Sequence, residues 1–267
     1  MEVGVLKILF IGDIVGTPGV EYTAEVLAEI LPSLQPNLVV ANGENAHHGR
    51  GINARIAERL YDAGVEILTL GNHTWDKQEV VPLLEEDARV VRPANYPPGT
   101  PGTGFTLCPV GGHEVLIINV MGRTFLSQLD CPFRTVDGIL EAHPNVRHIL
   151  VDVHAETTSE KLALGWYLDG RASAVIGTHT HVPTADERIL PHGTGFITDV
   201  GMVGPSDGIL GMDRGAVIRR FTTQMPQKFT VADGPRQFCA VVLELADDTG
   251  RTVGIQRLFK AQTRFGS

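Results

Sequence analysis

Apolar residues in this chain fall into short runs, and the residues that stop each run are unusual. Leu6 to Ile11 is apolar apart from Lys7 and breaks at Gly12-Asp13, which predicts a buried strand ending in a carboxylate. Gly16-Thr17-Pro18-Gly19 then gives a turn and a helix start, and Val20 to Leu34 carries apolar side chains at helical spacing. Pro36-Asn37 closes that helix and opens a second strand, Leu38 to Ala41, which runs into Asn42-Gly43-Glu44-Asn45. After a glycine-rich loop, Asn53 caps a helix extending to about Ala63. Val65 to Leu70 is a third strand, ending in Gly71-Asn72-His73-Thr74-Trp75-Asp76 before a helix around Lys77 to Glu86. This β-α-β-α-β-α order predicts parallel strands joined by crossover helices.

The middle is less regular. Pro93, Pro97, Pro98 and Pro101 mark a loop, after which strands resume at Gly104 to Val110 and Val115 to Val120. Met121 to His143 reads as a loop followed by a helix, and Arg147 to Val153 is another apolar run, ending in His154-Ala155-Glu156. A helix around Thr158 to Asp169 leads into Ser173-Ala174-Val175-Ile176-Gly177, which delivers Thr178-His179-Thr180-His181. The remainder reads as β-rich, with a hairpin-like pair, Phe238 to Leu245 and Val253 to Lys260, around Asp247-Asp248-Thr249-Gly250. No internal repeat or low-complexity tract interrupts the chain.

Length and composition narrow this picture. A chain of 267 residues buries a sizeable core and is most simply read as one domain spanning residues 1–267. With 43% hydrophobic and 20% charged residues it belongs with soluble globular proteins. A formal net charge of −9 and a pI near 5.5 argue against a broad nucleic-acid-binding face or an anionic-membrane surface. They do not exclude a local cationic site, because bound metal ions are absent from such a count. Cys108, Cys131 and Cys239 are odd in number and form no Cys-x-x-Cys pair, which predicts reduced thiols and a cytoplasmic setting. No basic segment precedes the first apolar stretch, and no apolar run approaches membrane-spanning length.

Chemistry enters where the runs stop. Imidazoles at i and i+2 share one side of an extended segment, so His179 and His181 can converge on one site if the run continues as a strand. Alone, such a pair is equally two unrelated polar residues at a strand end. In this chain, however, five runs end in metal-type ligands: Asp13, Glu44-Asn45, Asn72-His73, His154 and His179/His181. The carboxyl ends of strands in open α/β sheets form the crevice where ligands bind, so these residues are expected to meet. Singly, Asp13, Asn45 and Asn72 are ordinary turn residues, Glu44 a solvated carboxylate and His154 a satisfied core histidine. One shared metal site explains all five together.

The series Gly12-Asp13, Gly43-Glu44-Asn45, Gly71-Asn72-His73, His154 and Gly177-Thr178-His179-Thr180-His181 resembles the five-block pattern of calcineurin-like metallophosphoesterases, from about residue 6 to 215. That superfamily reads Asp-x-His, Gly-Asp, Gly-Asn-His-Asp/Glu, His, Gly-His-x-His. The resemblance implies a four-layer α/β/β/α sandwich with a di-metal site at the C-terminal ends of its strands. Three departures sharpen it: Asp13-Ile14-Val15 lacks the histidine, Glu44-Asn45 replaces the aspartate, and Thr74 stands where an acid is usual. Together with His154-Ala155-Glu156-Thr157-Thr158 and Thr198-Asp199-Val200-Gly201-Met202, these look like the bacterial YmdB-type subfamily. That subfamily implies a phosphodiesterase acting on small phosphodiesters, cyclic nucleotides and 2′,3′-cyclic ones among them, with iron or manganese bound.

On this resemblance the first metal takes Asp13, Glu44, Asn45 and His181, and the second takes Glu44, Asn72, His154 and His179. Independently, imidazole, carboxylate and amide donors suit two divalent or mixed-valence ions, iron, manganese or zinc, and the lack of thiolates argues against a soft-metal site. Two such ions about 4 Å apart polarise a phosphoryl oxygen and hold a hydroxide for in-line attack. His73 is the expected general acid, since imidazoles exchange protons near neutrality, and Asp76 is its expected orienter. His47, His48 and Arg50, in the loop before Gly51, and Arg123 after Met121 are weaker candidates for substrate contact, with solvated-loop and ion-pair readings beside them. Glu156 and Asp199 are expected to hold ligand histidines from behind. Two other functions stay open: a phosphomonoesterase or nucleotidase, and a regulatory metal-binding protein without turnover. Sheet edges and the late hairpin also leave room for self-association.

Overall fold

A computed structural model of the chain describes residues 4–263. In chain order the strands are β1 Val5–Ile11, β2 Asp13–Ile14, β3 Leu38–Asn42, β4 Ile67–Thr69, β5 Val90–Val91, β6 Phe105–Val110, β7 His113–Met121, β8 His148–His154, β9 Ala174–Thr178, β10 Arg188–Ile189, β11 Gly195–Ile197, β12 Met202–Pro205, β13 Arg236–Ala246 and β14 Thr252–Ala261. The helices are α1 Gly16–Leu34, α2 Ala54–Asp62, α3 Val80–Glu86, α4 Pro132–Ala142, α5 Thr158–Tyr167 and α6 Arg214–Thr223.

Two mixed sheets result. One runs β2-β12-β13-β1-β3-β4-β5 with β14 added beside β13, and the other runs β10-β11-β9-β8-β7-β6. The β1-β3-β4-β5 and β7-β8-β9-β11 segments are parallel, as crossover helices require. The late hairpin joins the first sheet through an antiparallel β1–β13 ladder, so its long apolar strand is central and closes the core.

Strand alternation builds the layers. In β1, Leu9 and Ile11 pack outward with α1 and α2 residues such as Val26 and Leu60, whereas Ile8 and Phe10 face the other way. In β7, Ile117 joins Ile8, Phe10, Leu150 and Leu243 between the sheets, while Leu116 and Ile118 join Val136 of α4 and Leu164 of α5. Three apolar layers between four layers of structure make the α/β/β/α sandwich that the resemblance implied. Each sheet is apolar on both faces because each is covered on both, which is why its strands read as nearly unbroken apolar runs.

Several expected boundaries move. The helix expected around Lys77 starts at Val80, because Lys77 to Glu79 are taken up by a turn. The segment after residue 213 is not wholly β: Asp213 accepts from the Ala216 amide and caps α6, whose Arg214-Gly215-Ala216-Val217 start hides the helical pattern. Asn53 caps α2 as expected, accepting from the Ile56 amide at 3.0 Å. Cys239 is buried, Cys108 and Cys131 are half-buried, and all three are free thiols. No helix among the described residues is long and apolar enough to cross a membrane.

Ile117 is fully buried between the sheets. Ile117→Ala is expected to lower unfolding free energy by about 2–5 kcal/mol, read as a shifted urea midpoint at unchanged slope.

Candidate functional site

The ends of β1, β3, β4, β8 and β9 bring the expected ligands to one edge of the sandwich. Crossover helices return every parallel strand in the same direction, so their carboxyl ends gather there. At the centre is His154, fully buried at the end of β8. Its Nε2 lies 2.9 Å from Glu44 Oε1, 2.9 Å from Asn72 Oδ1 and 3.0 Å from His179 Nδ1. A single ring nitrogen carries at most one proton, so three partners at that distance exceed what hydrogen bonding can satisfy. The donor atoms of Glu44, His154 and His179 all lie within 4.8 Å of one another, a spacing that fits a shared cation.

A second group lies beside it. His181 Nε2 is 3.2 Å from Asn45 Nδ2 and 3.8 Å from Asp13 Oδ1. Asp13 is buried; its Oδ2 accepts from the His179 amide at 3.1 Å, while Oδ1 has no hydrogen-bond partner. An unpartnered buried carboxylate oxygen facing imidazoles costs desolvation energy that a cation would offset. Glu44 stands between the groups: Oε1 takes the His154 and Asn45 contacts, and Oε2 accepts from the His73 amide at 2.8 Å. Gly71 makes this closeness possible, since a Cβ there would sit 2.3 Å from His154 Nε2 and 2.5 Å from Glu44 Oε2.

The His-x-His pair is built differently from the strand alternation expected of it. β9 ends at Thr178, and His179 and His181 follow with φ of 100° and 65°, a region non-glycine residues rarely enter. The turn is fastened through its backbone. Asp13 Oδ2 takes the His179 amide, and Asp199 Oδ2 takes the Thr180 amide at 3.0 Å and the Lys161 ammonium at 2.6 Å. Asp199 therefore fixes the turn rather than a ring, whereas Glu156 Oε2 lies 2.9 Å from His179 Nε2. The result aims the two imidazoles at the two groups.

Behind His154 lies a buried chain that the sequence reading missed. His154 Nδ1 is 2.9 Å from Thr178 Oγ1, which donates to Asp152 Oδ1 at 2.7 Å; Thr69 Oγ1 donates to Asp152 Oδ2 at 2.5 Å. With its proton committed to Asp152, Thr178 accepts from Nδ1–H, which leaves the Nε2 lone pair facing the site. The clue was present: Asp152 sits two residues before His154 in an otherwise apolar run, hence on the same face.

Electrostatics show an excess of buried acid. Burial opposes the charged form of Glu44, but the charge and hydrogen bond of His154 outweigh it and hold its pKa at about 2. Burial pushes the Asp13 carboxyl up, partly countered by His181 and His154. Burial likewise raises Asp152 to about 6. His154, though desolvated, is pulled up to about 9 by Glu44 and Asp13, while burial and the charge of His154 push His179 down to about 3. The cluster thus recruits one proton into a place where a metal ion would require both rings neutral.

A cavity of about 370 Å³ opens over these residues, its lining including Glu44, Asn45, His73, His179 and His181. Its lining also includes apolar residues, Leu210, Phe221 and Phe229 among them, which carried no motif. His73 Nδ1 lies 3.0 Å from Asp76 Oδ2, the pairing expected of them. Arg50 lines the cavity; His48 lies in the adjoining one, and His47 is half-buried with Nδ1 unpartnered. Arg123 is outside the lining, its backbone N–H donating to Glu160.

Two helix-flanked sheets with imidazole, carboxylate and amide donors gathered at one edge define a fold of the metallophosphoesterase type, with a donor set suited to divalent metal ions. More narrowly, the family model described as YmdB-like protein matches residues 9–258, and the chain belongs to that family. It is 51% identical over 254 residues to a 2′,3′-cyclic-nucleotide 2′-phosphodiesterase of Bacillus subtilis (strain 168), covering 95% of this chain and 96% of the relative. A crystal structure from Thermus thermophilus superposes with TM-score 0.91 at 48% identity, over 96% of this chain and 100% of that one. One described as a novel phosphatase, from Mycoplasma pneumoniae, superposes with TM-score 0.93 at 31% identity, over 97% and 94%.

Asp152→Asn is expected to keep the fold and weaken metal binding about 10- to 100-fold, because an amide leaves one acceptor oxygen for the two hydroxyls, of Thr178 and Thr69, that donate to Asp152. Metal titration against a colorimetric chelator competitor measures this; unchanged affinity would remove the orienting role.

Proposed function

We propose that the chain is a metal-dependent phosphodiesterase that hydrolyses nucleoside 2′,3′-cyclic phosphates, opening the ester at the 2′ oxygen as the name of its Bacillus relative describes. The observation that carries this reading is the convergence of Glu44, Asn72 and His179 on one nitrogen of His154, under a cavity of nucleotide dimensions. Asp13, Glu44, Asn45 and His181 would hold one metal, and Glu44, Asn72, His154 and His179 the other. Iron or manganese is favoured, zinc being the third choice for this donor set. When bound, the metals supply Lewis-acid polarisation of the phosphoryl oxygen and activation of the attacking water.

The protein's own groups do the rest. His73 lines the cavity with Nδ1 directed to Asp76, so a proton on Nε2 faces the substrate and passes to the leaving oxygen. The amide of His73 is anchored on Glu44 Oε2, which ties the position of the acid to that of the metal ligand. Phe221 and Phe229 offer the base an apolar wall, and Arg50 offers the phosphate a charge.

His73→Asn, loaded to the same metal content, is expected to lose about 10²- to 10⁴-fold in kcat on 2′,3′-cyclic AMP. It should lose far less on an aryl phosphodiester, whose leaving group needs no proton. Equal losses on both substrates would refute the general-acid role. Stoichiometric metal without hydrolysis of any ester would leave a regulatory metal-binding protein, and preference for a phosphomonoester would make the chain a phosphatase.

A further inference from the structure

A second cavity of about 500 Å³ adjoins the first, and the two share Arg50, Met212 and Phe229 in their walls. Beyond that shared wall it is lined by His48, Lys77, Arg220 and Lys228, with no carboxylate among its lining residues. In a chain of net charge −9 such a lining is out of character. Some cations elsewhere are matched with acids, as in Lys161–Asp199, Arg171–Asp137, Arg236–Glu25 and Arg257–Glu187. Among the described residues, by contrast, the side chains of Arg50, Lys77 and Lys228 form no ion pair or hydrogen bond, and Arg220 bonds only the Gln224 carbonyl.

The backbone holds this arrangement in place. His48, Gly49 and Gly51 all have positive φ, of 54°, 88° and 81°. A Cβ on Gly49 would meet Met212 Cε at 2.6 Å, and one on Gly51 would meet Lys77 Cγ at 2.7 Å. The loop is therefore pressed onto Met212 and Lys77, which sets Arg50 at the boundary between the cavities. Like charges gathered around a cavity repel one another and are retained at a cost in stability unless an anion joins them. Guanidinium and ammonium groups of this kind match phosphate.

Substrate chemistry says where that phosphate is attached. In a 2′,3′-cyclic nucleotide both secondary ribose oxygens are bonded to the scissile phosphorus, so the 5′ oxygen is the ribose position left for another phosphate. We propose that the cationic cavity binds a second phosphate, carried on the 5′ oxygen of the nucleoside whose 2′,3′-cyclic phosphate occupies the metal site. This rests on the 2′,3′-cyclic reading and extends it. The substrates favoured are those with a 5′ phosphate, either a terminal monoester or the internucleotide diester of a short oligoribonucleotide with a cyclic end. The small size of the patch in an acidic chain suits a short strand rather than a broad nucleic-acid face.

The test compares kcat/KM of the metal-loaded enzyme for three substrates: 2′,3′-cyclic AMP, its 5′-phosphorylated form, and the dinucleotide ApA ending in a 2′,3′-cyclic phosphate. At least one phosphate-extended substrate is expected to exceed the first by about tenfold or more. An excess for the monoester alone assigns a terminal phosphate, and one for the dinucleotide alone assigns the diester. The triple variant Lys77→Gln, Arg220→Gln, Lys228→Gln should bring the ratio of extended to simple substrate close to one. In the unmodified enzyme the same ratio should fall as salt rises from about 50 to about 200 mM. A ratio near one in the unmodified enzyme, or a ratio that the triple variant retains, overturns the second-phosphate site while leaving the reaction intact. No turnover of any of the three overturns the reaction itself and this inference with it.

Discussion

Burying carboxylates at one edge of a sandwich is the constraint that organises this molecule. Asp13, Glu44, Asp152 and Asp199 are essentially inaccessible to water, and the fully buried fixed cation beside them, Lys161, is committed to Asp199. An unpaired buried charge costs several kcal/mol, so the other three acids define a place where positive charge is needed. His154 carries part of that need, which is why its pKa rises despite burial. The remainder shows as Asp13 Oδ1 without a partner. The cluster is thus a balance of charge that the fold leaves unfinished, in a donor set that suits a divalent cation.

The same constraint explains local features that otherwise look expensive. The turn carrying His179 and His181 departs from favourable backbone geometry twice within three residues, at about 1–3 kcal/mol each. It persists because buried acids hold its amides, so the same acids that lack enough positive charge also position the two imidazoles. Behind His154, Asp152 and Thr178 fix which ring nitrogen faces the site. The placement of the imidazoles, the tautomer of His154 and the backbone strain thus have one common origin in the buried carboxylates.

Away from that edge, charge is arranged in the opposite sense. The cationic cavity and the acid-rich ligand cluster share a wall, so potential changes sign over a short distance across the open site. A small polyanion approaching the protein is drawn to the cationic side even before metal charge is counted. The apolar Leu210, Phe221 and Phe229 line the same opening. An acidic protein can in this way serve an anionic substrate without a basic surface.

Much of this was legible from the chain alone. Apolar runs such as Leu6 to Ile11 and Val115 to Val120 become β1 and β7 because both faces of each sheet are covered, and burial on two faces leaves an unmistakable linear pattern. The convergence of these side chains was readable for a related reason: Asp13, Glu44, His154 and their partners interrupt apolar runs, and a polar residue at that point of a parallel strand has one crevice to enter. What sequence could not decide is anything set by approach between distant segments. The meeting of Glu44, Asn72 and His179 at His154 Nε2, the positive φ of the two histidines, and the gathering of Arg50, Lys77, Arg220 and Lys228 each depend on elements far apart in the chain. α6 was overlooked because most of its residues face solvent, and periodicity appears only where a face is buried. Residue type and local burial are written in one dimension; distances, tautomers and shared charge arise only once the two sheets close on each other.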